Sequence, residues 1–302
     1  MAAVSMEGRV AIVTGAGRAL GRAYALLLAA RGASVVVNDL GTDQDGGGHD
    51  GSLAEAVVEE IRAAGGAAVA DSSDVSSEAG GKAVVERALA SFGQLDAVVA
   101  NAGIHMAASF EDTSLADFRR QIDNAVSGTV AVLHAAWPHF KAQGYGRVVT
   151  TGSGGGIFGL AGVSAYGAAK GAVQGLTRVL AIEGKPHGIL VNMIAPGAFS
   201  RMAGPSLSPE DLERARNLQP PELVAPVVLW LASERCHVTG EAFSSWAGRV
   251  SRLAVGGGRG LIDRALTAET IDEHYATIAS LDGFYEPATI LDELNKWMVE
   301  IK

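Results

Sequence analysis

Val10-Ala11-Ile12-Val13-Thr14-Gly15-Ala16-Gly17-Arg18-Ala19-Leu20-Gly21 is the stretch that decides the fold. Its first five residues form a short β-branched apolar run, the kind buried on both faces of a parallel sheet. Glycines then interrupt the run, and Arg18–Arg31 carries helix formers with an apolar stripe. The unit repeats at once, with a strand over Ser34–Asn38 and a helix over Leu53–Ala64 that places Leu53, Val57 and Ile61 on one face. Further strands are predicted at Ala67–Ala70, Leu95–Ala100, Arg147–Thr151 and Ile189–Ile194, separated by helices at about 77–91, 114–142 and 165–184. A parallel crossover needs a helix to return the chain, so this alternation predicts an α/β fold: one doubly wound parallel sheet with helices on both faces.

Two segments break the rhythm. Gly41–Gly51 is rich in Gly and Asp and reads as a surface loop. Ser200–Pro221 holds four prolines and reads as an excursion without regular structure. Past Gly248 the strand signals fade, and Ala268–Ser280 and Thr289–Ile301 read as two amphipathic helices, the second with Ile290, Leu294, Trp297 and Ile301 on one stripe. The expected organisation is a catalytic domain over residues 1–248 and a C-terminal helical extension over 249–302, packed on the same domain or on a partner subunit.

Composition excludes several classes. At 302 residues the chain can bury a large core, and 48% hydrophobic against 19% charged residues excludes a disordered chain. A net charge of −9 argues against nucleic-acid or anionic-membrane partners. No apolar run approaches the roughly 20 residues of a membrane span, and Met1–Gly8 lacks a leader's apolar core. The single Cys236 excludes an internal disulfide and a multi-cysteine zinc site. The seven histidines show no metal-ligand spacing, and Gly80-Gly81-Lys82 lacks the upstream glycine of a phosphate loop. The expected location is the cytoplasm.

Four features carry chemistry. Gly15, Gly17 and Gly21 lie between strand and helix, where bare backbone and unpaired N–H groups admit a pyrophosphate. Asp39 ends the second strand 24 residues after Gly15; a carboxylate there accepts from ribose hydroxyls and repels a 2′-phosphate, which favours NAD over NADP. Arg18 in the turn is the one group that would serve the phosphate. Tyr166 and Lys170 share a helix face at i and i+4, where an ammonium can lower the phenol's pKa toward that of a usable acid/base. Ser153 follows a strand's C-terminal end, thirteen residues before Tyr166, and can hold a substrate oxygen. Taken singly, each has a plain alternative: a tight turn, a loop-opening Asp, a surface pair, a Gly-Ser loop.

Together they resemble the short-chain dehydrogenase/reductase family, over about residues 7–250. Thr14–Gly21 is similar to that family's TGxxxGxG turn, with Ala19 where its middle glycine usually sits. The resemblance implies a Rossmann-type fold, an NAD cofactor, and a triad of Ser153, Tyr166 and Lys170. It further implies dinucleotide contacts at Gly15, Gly17, Arg18, Leu20, Gly21 and Asp39. Asp74-Val75 falls on the adenine-contacting pair, Asn101-Ala102-Gly103 on the motif that supports the sheet under the cofactor, and Pro196-Gly197 on the turn that meets the nicotinamide amide. The family's fourth catalytic residue, an Asn three positions before a Gly, is matched only by Asn124, four before Gly128. One residue of shift turns an α-helical side chain by about 100°. Longer strings, among them Gly21–Gly41, Ser52–Gly66, Ile194–Met202 and Pro220–Glu234, resemble the (3R)-hydroxyacyl-CoA dehydrogenase units of multifunctional β-oxidation enzymes. That likeness implies an acyl-CoA thioester substrate and a homodimer or homotetramer. The alternatives are a dehydrogenase or carbonyl reductase for steroids or other secondary alcohols, and a non-catalytic NAD-binding sensor.

Overall fold

The computed structural model describes residues 3–43, 47–199 and 208–298. It divides into two compact units, 1–252 and 253–302. The first is built on a single sheet of eight strands: β1 (Val10–Thr14), β2 (Ser34–Asn38), β3 (Ala67–Asp71), β4 (Ala97–Ala100), β5 (Gly146–Thr151), β6 (Ile189–Gly197), β7 (Ala242–Trp246) and β8 (Arg249–Leu253). Their order is β3-β2-β1-β4-β5-β6-β7-β8, and β1 through β7 pair in parallel. The fold is therefore the doubly wound Rossmann-type sheet. Chain direction across the sheet reverses between β1 and β4, and the carboxyl ends of the parallel strands share one edge, where open α/β sheets take their ligands.

Alternation within the strands fills two cores. In β1, Ala11 and Val13 join one apolar cluster with Tyr24 and Leu28, while Val10 and Ile12 join another with Val84 and Phe140. Every residue of β1 is buried, which a covering of helices on both faces requires. The first cluster is covered by α1 (Ala19–Ala30), α2 (Ser52–Ala63) and α9 (Ala225–Ala232), the second by α3 (Glu78–Phe92) and α5 (Gly128–Gln143).

Four expectations change. The helix expected over 114–142 is α4 (Leu115–Ile122), a π-helical turn (Asp123–Ser127) and α5, because a five-residue turn absorbs one extra residue without ending the helix. Within the proline-bearing segment Ser200–Pro221, residues 200–207 lie outside the described residues, but Pro209–Leu218 is a helix, α8, with proline at its first position, where no N–H is missed. The sheet also does not stop at Gly248. Ala247 (φ +47°) and Gly248 (φ +80°) form a two-residue turn of the hairpin type and send the chain back as β8. That strand is missed in sequence because Arg249-Val250-Ser251-Arg252-Leu253 is a half-exposed edge with little apolar signal.

The second unit, taken by itself, holds α10 (Ala268–Glu273), α11 (Tyr275–Ile278) and α12 (Ile290–Met298), so the helix expected over 268–280 is two short ones that break at His274. The remaining helices of the first unit are α6 (Gly154–Ile157) and α7 (Ser164–Gly184). Glu293 accepts from the Tyr285 hydroxyl and from Trp297 Nε1, and Lys296 Nζ lies 3.7 Å from the Tyr285 ring centre. Trp297 is thus turned edge-on to Tyr285, 5.7 Å between centroids, while Ile290 and Leu294 stay exposed. Ile301, the fourth member of the expected stripe, lies outside the described residues.

Candidate active site

Thr14 ends β1, and its hydroxyl oxygen accepts from the backbone N–H groups of Asn101 and Ala102, each at 3.0 Å. Asn101 returns the tie, donating from Nδ2 to the carbonyls of Thr14 (3.0 Å) and Gly15 (3.1 Å). The Gly-rich turn is therefore clamped to the end of β4, and both amide hydrogens of Asn101 are used inside the protein. Thr14 opens the TGxxxGxG-like turn in the sequence, and its contact with Asn101 and Ala102 shows what the hydroxyl does there.

The glycines are bare for steric reasons. A Cβ on Gly15 (φ +62°) would stand 2.8 Å from Ala102 Cα, one on Gly17 would stand 2.8 Å from Asp39 Oδ2, and one on Gly21 would collide with the Gly15 carbonyl. Ala19 sits at φ +44°, a left-handed conformation that favours glycine by about 1 kcal/mol, so the missing middle glycine leaves a strained first residue in α1. Arg18 is the N-cap of α1 but makes no side-chain cap, and no acidic residue occupies the first turn. Bare glycine backbone and uncapped helical N–H groups fit a pyrophosphate. The Arg18 guanidinium reaches the Thr42 carbonyl instead, at 3.3 Å. Leu20, in the first turn of α1, packs on the first core cluster.

Asp39 spans the turn: Oδ2 accepts from the Gly17 N–H (2.7 Å) and Oδ1 from the Gly41 N–H (2.8 Å). Its carboxylate is thus fixed across the Gly-rich turn. Farther along the same edge, Asp74 is exposed and holds Ser76 through one oxygen, while Val75 is buried and its carbonyl lies 3.4 Å from where a Gly128 Cβ would be. Pro196 and Gly197 end β6 beside Ser245 and Trp246, where a Gly197 Cβ would lie 2.8 Å from Trp246 Cβ.

Ser153 follows β5 and caps α6, accepting from the Gly155 N–H at 3.1 Å. Its hydroxyl and the Tyr166 ring both border Gly155, 3.5 and 3.7 Å from where a Gly155 Cβ would be. Tyr166 lies in the first turn of α7; burial raises its pKa above the ordinary tyrosine value, and the Ser153 hydroxyl works in the opposite direction. Lys170, one turn on, is buried, and its Nζ donates to the Thr151 carbonyl at 2.8 Å. Burial lowers its pKa to about 8. Its Nζ stands 5.8 Å from the Tyr166 ring centre and 3.6 Å from where a Gly103 Cβ would be. A buried ammonium with one hydrogen-bond partner among the described residues and two donors to spare fits a ribose diol beside it.

Asn124 is carried on the π-helical turn, which packs against α7. The π turn absorbs the extra residue, so Asn124 is not turned away by the 100° that one residue of α-helix would impose. Asn124 Oδ1 is buried without a hydrogen-bond partner among the described residues. His105, which sequence reasoning passed over, stands edge-on to Tyr166 with 4.8 Å between ring centroids. Its only sequence signal is its place two residues past Gly103.

The family model described as short chain dehydrogenase matches residues 9–210. Over 279 residues the chain is 42% identical to a protein of Mycobacterium tuberculosis named as a short-chain type dehydrogenase/reductase, covering 92% of this chain and 96% of that one. It is 45% identical over 299 residues to peroxisomal multifunctional enzyme type 2 of Mus musculus, covering 98% of this chain but only 40% of the mouse protein. Among solved structures, 7α-hydroxysteroid dehydrogenase complexed with NADH and 7-oxoglycochenodeoxycholic acid superposes with a TM-score of 0.72 at 30% identity, over 81% of this chain and 95% of that one. Among the described residues no helix is long and apolar enough to cross a membrane. A Gly-rich turn clamped at the sheet's switch point and a serine, tyrosine and lysine gathered at the ends of β5 and α7 agree with these matches: the chain belongs to the short-chain dehydrogenase family and is an oxidoreductase acting on CH–OH groups.

Proposed function

We propose that the protein is an NAD-dependent (3R)-hydroxyacyl-CoA dehydrogenase. The observation that carries the chemical half is the Tyr166 ring beside Ser153, one helical turn from buried Lys170, whose Nζ is anchored on the Thr151 carbonyl. The substrate half is supported by the 45% identity with the mouse multifunctional enzyme, of which this chain spans about two-fifths. When bound, the nicotinamide supplies the hydride chemistry. The chain's own residues do the rest. Ser153 Oγ holds the substrate oxygen, and Tyr166 Oη takes the carbinol proton on oxidation or returns it on reduction. Lys170 Nζ, anchored on the Thr151 carbonyl, holds the ribose and favours the phenolate. Asn124 lends its unpartnered amide oxygen to the same polar cluster. Homodimer or homotetramer formation belongs to this reading, supported by the exposed Val179 and Ile182 on α7 and Val130 on α5. So do a cytoplasmic location and an extension packed on its own domain or a partner.

The test is an absorbance assay for NADH formation over (3R)- and (3S)-hydroxyacyl-CoA thioesters of varied acyl size, with cyclohexanol and a hydroxysteroid as competitors for the assignment. The expected result is preference for the (3R) thioester by at least about ten-fold in kcat/KM. Preference for a steroid or simple alcohol rejects the thioester, and tight NAD binding with no turnover on any substrate rejects the enzyme reading.

NAD preference rests on Asp39. Asp39→Ala is expected to weaken NAD binding by about ten-fold, since hydrogen bonds to a charged acceptor contribute roughly 1.5–3 kcal/mol, while NADP affinity holds or rises because the carboxylate no longer repels the 2′-phosphate. Titrating both dinucleotides by calorimetry checks this; an unchanged NAD/NADP ratio removes Asp39 from cofactor choice.

A further inference from the structure

His105 is held in place with unusual care for a loop residue. The side chain of Gln121, fully buried on α4, donates from Nε2 to the Ile104 carbonyl at 2.9 Å and accepts from the Met106 N–H at 3.3 Å. A buried amide thus grips the backbone on both sides of His105, and buried Ile104 anchors the segment from below. Two residues on, Ala108 bridges to Val163, the residue before α7, and its N–H donates to the Gly162 carbonyl. The loop carrying His105 is therefore tied both to α4 and to the start of the Tyr166 helix. Within that frame the imidazole meets the Tyr166 ring edge-on, and neither of its nitrogens has a hydrogen-bond partner among the described residues. Burial holds its pKa below the ordinary histidine value, so at neutral pH it presents one donor and one acceptor. A polar group fixed this firmly against the Tyr166 ring, with no hydrogen-bond partner among the described residues, is placed to meet a ligand.

We propose that His105 orients the substrate by donating a hydrogen bond to a carbonyl oxygen placed 1,3 to the reacting carbinol, the thioester oxygen of a 3-hydroxyacyl chain. This rests on the thioester reading above. In a β-oxygenated thioester the two oxygens lie within about one hydrogen-bond length of each other. One can sit on Tyr166 and Ser153 while the other faces the imidazole. The acyl chain then leaves past Phe158 and Leu160, which stand 74% and 67% exposed on the loop between Ser153 and Tyr166. Large apolar side chains left in solvent there give an alkyl chain a surface to cover.

The test is steady-state kinetics of the wild type, His105→Phe and His105→Gln on a (3R)-hydroxybutyryl thioester and on cyclohexanol. Phenylalanine keeps a ring against Tyr166 but has no donor, and glutamine keeps a donor. The Phe variant is expected to raise KM for the thioester about ten-fold with kcat within about three-fold, and the Gln variant to recover most of that loss. Cyclohexanol, which has no second oxygen, should be affected less than about two-fold. A Phe variant with wild-type KM overturns the proposal. So does a fall in kcat of equal size on both substrates, which would make His105 a wall for Tyr166 alone. If the wild type oxidises cyclohexanol but not the thioester, the thioester reading fails and this inference with it. That outcome shows in the wild type before any variant is compared.

Discussion

Replacing Tyr166 with phenylalanine is expected to lower turnover by about 10²–10⁴-fold, the range that a positioned acid/base contributes. The change removes one oxygen from a side chain whose ring is packed against His105, so the fold and the dinucleotide cradle should stay intact. Dinucleotide affinity should therefore remain within a few-fold of wild type while kcat collapses, which separates the proton's acceptor from the cofactor's site. The direction of pH dependence follows from the same residue. Burial raises the Tyr166 pKa, so the phenolate that oxidation needs is scarce at neutral pH and grows as pH rises. Oxidation should accelerate with pH and reduction, which needs the phenol, should slow. Initial rates in both directions across pH 6–10, together with dinucleotide titrations of the variant, check both statements. Retention of more than about a tenth of wild-type turnover would remove Tyr166 from proton transfer.

Lys170→Met is expected to do two opposite things: cut turnover by about 10²-fold or more and make the unliganded protein more stable. The lysine is buried with its ammonium on a single carbonyl, and burial brings its pKa from 10.5 down to about 8. A pKa lower in the folded than in the unfolded chain means that the charged form opposes folding. That penalty is complete below pH 8, shrinks between about pH 8 and 10.5 as the folded protein releases its proton first, and is absent above. Methionine fills a similar volume without charge. After the lost hydrogen bond to Thr151 is subtracted, the gain at pH 7 should be about 1–2 kcal/mol, which is a melting point higher by a few degrees. The advantage should fade as pH is raised toward 10.5. Thermal melts of both proteins at pH 7 and pH 10 read this directly. A variant less stable than wild type at pH 7 would show that the ammonium is well compensated in the absence of cofactor. The loss of activity has the same origin, because a site that keeps an unpaired charge for its ligand does so at the expense of stability.

The hydrophobic periodicity of the first two hundred residues determined the alternating parallel fold by itself, since β-branched runs such as Val10–Thr14 and striped helices such as 52–63 leave few other ways to bury both faces of a sheet. The local chemistry of Gly15, Gly17 and Gly21 was legible for the same reason: it depends on residues near one another in sequence. What depended on contacts between distant elements was not. The π turn that repositions Asn124 is a local insertion whose geometry is set by its packing on α7, and the return of β8 turns on two positive φ angles that Ala247 does not announce. The clamp of Thr14 on Asn101, the grip of Gln121 around His105 and the isolation of Lys170 all arise between groups 15 to 87 residues apart or from burial alone. A sequence names the groups that can ionise or donate. Only the tertiary structure sets their distances and removes their water, and on these the pKa of Lys170, the proton affinity of Tyr166 and the free nitrogens of His105 depend.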